Sequence, residues 1–170
     1  MKGKRALIVD DNASARQILR DMVDGFGMEV DSASSGSQAL EMLESAASRG
    51  MPFDIVLMDW RMPNLDGLET ARLIRENQRL EHVPAVLMVT AYGREEVTRR
   101  AEQLGLQGVL IKPITESVMF NTLIDILLPS EAEVPDDEGT TTIEAARFAA
   151  LTGKRVLVVD DNAFNREVAT

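Results

Sequence analysis

The sequence predicts an α/β protein: a doubly wound, five-stranded parallel sheet with helices on both faces. Three observations lead there. Five short apolar runs recur within residues 1–128, separated by longer segments of helical periodicity, and strict β-α alternation favours a parallel sheet. The central runs Ile55-Val56-Leu57-Met58 and Val86-Leu87-Met88-Val89 are apolar throughout, as a sheet covered on both faces requires. Gly25, Gly27, Gly50, Gly105 and Gly108 fall at or just past helix ends, where a left-handed conformation is wanted.

The first strand is expected at residues 6–9, leading into Asp10-Asp11. Residues 13–23 then place Ile18, Leu19, Met22 and Val23 at helical spacing. The second strand, 28–30, is weaker, and Met28-Glu29-Val30-Asp31 alternates, which puts it at an edge. Residues 37–47 carry Ala39, Leu40, Leu43 and Ala47 on one helical face. The third run, 53–58, ends at Asp59, and a helix over 65–74 follows with Leu68, Ala71 and Ile74. The fourth run, 85–89, ends at Thr90, with a weakly patterned helix over 95–104. The fifth, 109–111, ends at Lys112-Pro113, and residues 117–128 show Val118, Phe120, Leu123, Ile124, Leu127 and Leu128.

Composition removes several classes of chemistry. Cysteine is absent, which excludes disulfides, thiolate metal sites and thiol nucleophiles. The single histidine, His82, lies in a loop before Pro84 and reads as a surface residue. The formal net charge of −10 opposes phosphate backbones, so no nucleic-acid partner is expected. No apolar run reaches the roughly 18 residues that span a bilayer, and residues 6–9 are too short for a signal peptide. The expectation is a cytoplasmic chain without membrane contact. The methionines lie mostly in apolar runs and read as packing, and Trp60 reads as a partly buried loop residue.

An internal repeat sets the domain reading. Residues 3–20 read GKRALIVDDNASARQILR and residues 153–170 read GKRVLVVDDNAFNREVAT, with ten of eighteen positions identical at an offset of 150. Residues 1–128 are therefore read as one whole domain and 153–170 as the truncated start of a second. Between them, 129–152 form an acidic linker with Glu131, Glu133, Asp136, Asp137 and Glu138, whose latter part, 143–151, approaches helical spacing. Asp160 and Asp161 repeat the first acid pair without its counterparts and are expected to bind nothing well; the strand 155–159 lacks a sheet of its own.

In an open α/β sheet, ligands bind beyond the carboxyl ends of the strands. Here those ends carry Asp10-Asp11, Asp59, Thr90 and Lys112. Carboxylates gathered at about 4 Å repel by on the order of 4 kcal/mol per pair at an effective dielectric of ~20. A hard divalent cation with oxygen ligands relieves this, and Mg²⁺ fits, taking one or two carboxylates, waters and a phosphate oxygen. Lys112 adds a fixed positive charge and Thr90 a hydroxyl donor, so an anionic tetrahedral guest is a phosphoryl group. A carboxylate is then the nucleophile, giving an aspartyl phosphate. Asp59, alone at the end of a central strand, suits that role; Asp10 and Asp11 are adjacent and suit metal holding.

These segments resemble the bacterial response-regulator receiver family: Leu-Ile-Val-Asp-Asp-Asn (7–12), Asp-Ile-Val-Leu-Met-Asp-Trp-Arg-Met-Pro-Asn-Leu-Asp-Gly-Leu-Glu (54–69), Val-Thr-Ala (89–91) and Ile-Lys-Pro (111–113), within a match from residue 4 to about 128. The resemblance implies a flavodoxin-like sheet of strand order 2-1-3-4-5. It implies Asp59 as phosphoacceptor, Asp11 and Asp59 as direct Mg²⁺ ligands, Asp10 acting through water, and the main-chain carbonyl of Arg61 completing the set. Thr90 would hydrogen-bond the phosphoryl group and Lys112 would pair with it. Lys112-Pro113 would be cis, and Gly67, after Asp66, would relieve a tight turn. The implied partner is a phosphohistidine-bearing kinase or phosphotransfer domain. Tandem receivers joined by an acidic linker resemble the end of a hybrid sensor histidine kinase, or else a multi-receiver regulator, so a second receiver domain is a further partner.

The chain departs from the family at Val109, where many members carry an aromatic switch three residues before the lysine; a valine does not swing as a ring does. Tyr92 and Arg61 border the path of water to the site and are candidates for gating it. Two other readings compete with the phosphoacceptor. A phosphohydrolase resembling the haloacid dehalogenase group needs an acid two residues past its nucleophile, where this chain has Arg61. A pure interaction module would keep the site but never receive phosphate.

Overall fold

The computed structural model describes residues 1–91 and 94–128, with the backbone alone for 94–96. Tyr92, the linker 129–152 and the repeat 153–170, with Asp160 and Asp161, lie outside the described residues.

Ten elements alternate along the chain: β1 (Arg5–Val9), α1 (Ala13–Gly25), β2 (Glu29–Ala33), α2 (Gly36–Ser48), β3 (Ile55–Asp59), α3 (Gly67–Glu76), β4 (Ala85–Thr90), α4 (Arg94–Gln103), β5 (Gly108–Ile111) and α5 (Glu116–Leu127). The five strands form one sheet in the order β2-β1-β3-β4-β5, and every pairing is parallel. This is the doubly wound, flavodoxin-like sheet that the alternation and the resemblance predict.

The strand sequences explain why both faces are covered. Leu7, Val9, Val56, Met58, Val86 and Met88 point to one face, where Ala39, Leu43, Leu68, Ile74 and Val97 of α2, α3 and α4 meet them. Ala6, Ile8, Ile55, Leu57, Leu87 and Val89 point to the other, against Leu19, Val23, Met119 and Leu123 of α1 and α5. Alternate residues of β1, β3 and β4 thus bury in separate cores, and a polar residue in either set would be stranded. Each large apolar side chain so buried contributes about 1.5–3 kcal/mol.

Helix starts are fixed by side-chain caps. Asn12 accepts from the N–H groups of Ser14 and Ala15, Ser35 from Gln38, Asp66 from Glu69 and Thr115 from Val118. Such caps satisfy donors that the helix itself leaves open.

Most boundaries fall within two residues of expectation; the end of β2, the start of α3 and two of the glycines depart in ways that have a physical reason. β2 runs on to Ala33, because its outer residues Glu29 and Asp31 pair with Arg5 of β1 rather than needing burial. It is the edge strand the alternation predicts. α3 starts at Gly67 rather than residue 65: Asn64 takes a left-handed φ of 67° and Asp66 then caps the helix. Gly27, Gly50 and Gly105 do adopt positive φ, but Gly25 closes α1 and Gly108 opens β5 without it.

Candidate functional site

Parallel strands bring all their carboxyl ends to one edge. Val9 pairs with Met58, so Asp10 follows β1 beside Asp59 at the end of β3. Asp59 pairs with Val89, and Thr90 with Ile111, which sets Thr90 and Lys112 alongside. The N–H of Lys112 donates to the Thr90 carbonyl at 2.8 Å, carrying the ladder one residue past β5. The Lys112-Pro113 bond is cis, as the resemblance implies.

The centre of this edge is an ammonium between two carboxylates. Lys112 Nζ donates to Asp10 Oδ2 and to Asp59 Oδ1, each at 2.8 Å. Asp10 is almost sealed at 2% exposure, and the Asp59 side chain is 13% exposed. Their remaining oxygens are also engaged: Asp10 Oδ1 accepts from the Asn12 N–H at 2.8 Å, and Asp59 Oδ2 from the Arg61 N–H at 3.0 Å. Thr90 is buried at the rim of the same edge, at 1% exposure.

Electrostatics here are out of balance. Burial pushes the Asp59 carboxyl above its ordinary value; Lys112 pulls it down by hydrogen bond and charge, and Asp10 pushes it up again. Burial would lower the Lys112 ammonium, but the hydrogen bonds and charges of Asp10 and Asp59 outweigh that and hold it above its ordinary value. One ammonium serves two carboxylates, so the pocket has a surplus of negative charge.

Asp10, Asp59 and Lys112 are therefore brought together, with Thr90 on the neighbouring strand end. Asp11 is one residue away and exposed. Among the described residues no three acidic or histidine side chains are grouped closely enough to cage a metal ion. The donors nonetheless suit a hard cation: they are all oxygens, and two of them share a single counter-charge. The Arg61 side chain is exposed, with its guanidinium 5.2 Å from the Trp60 ring centroid. Trp60 itself is buried more fully than its loop position suggests. Val109 is half-buried against the core shared with α2, α3 and α4. His82 is exposed in its loop.

The structure gives Gly67 a different role from the one expected and adds Arg16. Gly67 does not relieve a positive-φ turn: its N–H donates to the Trp60 carbonyl at 2.8 Å, and a Cβ at this position would overlap the Asp59 carbonyl oxygen. The start of α3 therefore rests directly on the Asp59 backbone, and only a residue without a side chain fits. Arg16, in α1, donates from Nη1 to the Asp10 carbonyl at 2.7 Å. Its signal in the sequence is its recurrence as Arg166 in the repeat.

Residues 6–124 match the response regulator receiver domain. The chemotaxis protein CheY of Pseudomonas aeruginosa is 36% identical over 116 residues, which are 68% of this chain and 89% of that protein. The structure of Vibrio cholerae CheY4 superposes with a TM-score of 0.63 at 27% identity, covering 73% of this chain and 98% of that one. A Borrelia burgdorferi chain from a CheX–CheY–BeF3–Mg²⁺ complex shares the fold, with a TM-score of 0.66 at 23% identity over 74% of this chain and 90% of that one. With the family matched across both cores and every strand end that bears the acidic and basic residues, the chain belongs to the response-regulator receiver family, the CheY-like domains of two-component signalling.

Proposed function

We propose that this chain accepts a phosphoryl group on Asp59 from a phosphohistidine-bearing kinase or phosphotransfer domain, in a Mg²⁺-dependent reaction that regulates a partner or an adjoining domain. The observation that supports this most is the Lys112 ammonium held at 2.8 Å from both Asp10 and Asp59 at the carboxyl edge of the sheet. A buried carboxylate with a raised pKa, short of positive charge, is poorly solvated and suited to attack on phosphorus.

In the reaction, an Asp59 carboxylate oxygen forms a bond to phosphorus as the bond from phosphorus to the donor imidazole nitrogen breaks. The electron pair returns to that nitrogen, so neither an oxidant nor a further reactant is needed. Lys112 turns from its carboxylate partners to the transferred oxygens, and the Thr90 hydroxyl donates to another. Asp10, Asp11, Asp59 and the Arg61 carbonyl would hold Mg²⁺, which when bound neutralises charge on the transferring group. Asp59 Oδ2 is already oriented by the Arg61 N–H.

The test is incubation with a small acyl phosphate donor, with and without Mg²⁺, read by intact-protein mass. Wild type is expected to gain one phosphoryl group only with Mg²⁺, and Asp59→Asn none. Equal labelling of Asp59→Asn would contradict the assignment. Turnover of a neutral phosphate ester would instead favour a hydrolase.

A further inference from the structure

We propose that Arg16 is a positioning residue that aims the acid pair Asp10-Asp11 at a divalent cation; this rests on the proposed reading of the site as a Mg²⁺-dependent phosphoacceptor. The half-buried guanidinium donates to the Asp10 main-chain oxygen at 2.7 Å, from one turn into α1. Every other polar atom of Asp10 is engaged too: its N–H with the Ala33 carbonyl at 3.3 Å, Oδ1 with the Asn12 N–H at 2.8 Å, and Oδ2 with Lys112 at 2.8 Å. The Asp10 carbonyl belongs to the planar peptide unit that leads into Asp11. Anchoring its oxygen sets the plane of that unit, and with it the direction in which Asp11 departs from the strand. Without the anchor, that peptide plane loses the restraint that Arg16 places on its carbonyl oxygen, and the direction of Asp11 is held less firmly.

The repeat supplies an independent observation. Across positions 13–20 and 163–170, Ala13 and Arg16 alone are unchanged, as Ala163 and Arg166. Ser14 becomes Phe164, Gln17 becomes Glu167, and even Leu19, buried in the core, becomes Ala169. Arginine persists in the company of the acid pair Asp160-Asp161 while the helix around it changes. A packing or solubility role would not single out this position over a core leucine.

Charge and positioning make opposite predictions, which separates them. A cation near a metal site weakens metal binding by repulsion, so removing it for charge reasons alone tightens binding. Removing a residue that orients ligands loosens it, typically by tenfold or more.

The experiment is a Mg²⁺ titration followed by the fluorescence of Trp60, the single tryptophan, which adjoins Asp59. Wild type, Arg16→Met and Arg16→Lys are compared, together with amide hydrogen exchange of the Asn12 N–H in the absence of metal. Arg16→Met is expected to weaken Mg²⁺ binding about tenfold and to speed exchange at Asn12, while Arg16→Lys, which keeps a donor, lies closer to wild type. Should Arg16→Met fail to fold, Arg16→Gln takes its place with the same expected direction. Binding as tight as wild type or tighter in the neutral variant, or unchanged exchange at Asn12, overturns the proposal. A wild-type chain that ignores Mg²⁺ overturns the proposed function and this inference together, whereas a responsive wild type with an unaltered variant overturns this inference alone.

Discussion

Asp59 carries a cost that stability measurements can read. Its carboxyl is held above the ordinary value of 3.8, first by burial and then by Asp10, against the pull of Lys112. The folded chain therefore keeps that proton longer than the unfolded chain does. The group's stabilising contribution is present below pH 3.8 and is lost as pH rises through the raised value. Asp59→Asn removes this cost, so its thermal midpoint at neutral pH should exceed wild type, with the gain shrinking in acid; an equal or lower midpoint would mean that the Asp59 charge costs the fold nothing. Lys112 has the opposite importance. Burial opposes its charge, but Asp10 and Asp59 raise its pKa above 10.5, so its contribution holds below that value and fades as pH climbs beyond it. Lys112→Met leaves two carboxylates without their shared partner and should cost about 3 kcal/mol in urea unfolding. A loss of under about 0.5 kcal/mol would mean that the pair behaves as an exposed one.

Among the elements, α3 is the one whose start rests directly on the Asp59 backbone. Gly67→Ala drives a methyl into the Asp59 carbonyl and should lower stability by about 1–3 kcal/mol while slowing phosphoryl uptake. Gly25→Ala meets no atom within 4 Å and has no positive φ, so it should raise stability by about 0.4–1 kcal/mol. Chemical unfolding of the two variants side by side checks the contrast; similar losses would show that both glycines serve backbone conformation instead. This contrast marks a limit of sequence reading. Strand runs were legible because two-sided burial leaves no room for polar residues, as in Ile55–Asp59. The start of α3 was displaced by a left-handed Asn64 and the Asp66 cap that follows it, which apolar spacing does not register. A glycine kept for close approach looks the same in sequence as one kept for a turn. Only the register of α3 on β3 distinguishes Gly67.

For the molecule as a whole, the strand-end rule made Asp10, Asp59, Thr90 and Lys112 legible together, because a parallel sheet must gather its carboxyl ends on one edge. It could not reveal how Lys112 divides itself between Asp10 and Asp59, or that Arg16 reaches back to the Asp10 carbonyl, since side-chain reach is not written in strand order. The formal net charge of −10 adds a diffuse self-repulsion across the chain. Added sodium chloride should therefore raise the thermal midpoint through screening, and a midpoint falling with salt would point instead to ion pairs dominating stability. The sheltered Lys112 pairings are screened less than exposed pairs such as Arg72 with Glu69 and Glu76.

The assignment of the acceptor is tested most directly by reductive trapping. Treating the chain with an acyl phosphate donor, quenching with borohydride and mapping peptides converts any aspartyl phosphate to an alcohol at its own residue. The expected result is reduction at Asp59 alone, and only when Mg²⁺ is present. Reduction at Asp10 or Asp11, or none at Asp59 with Mg²⁺ supplied, would contradict it.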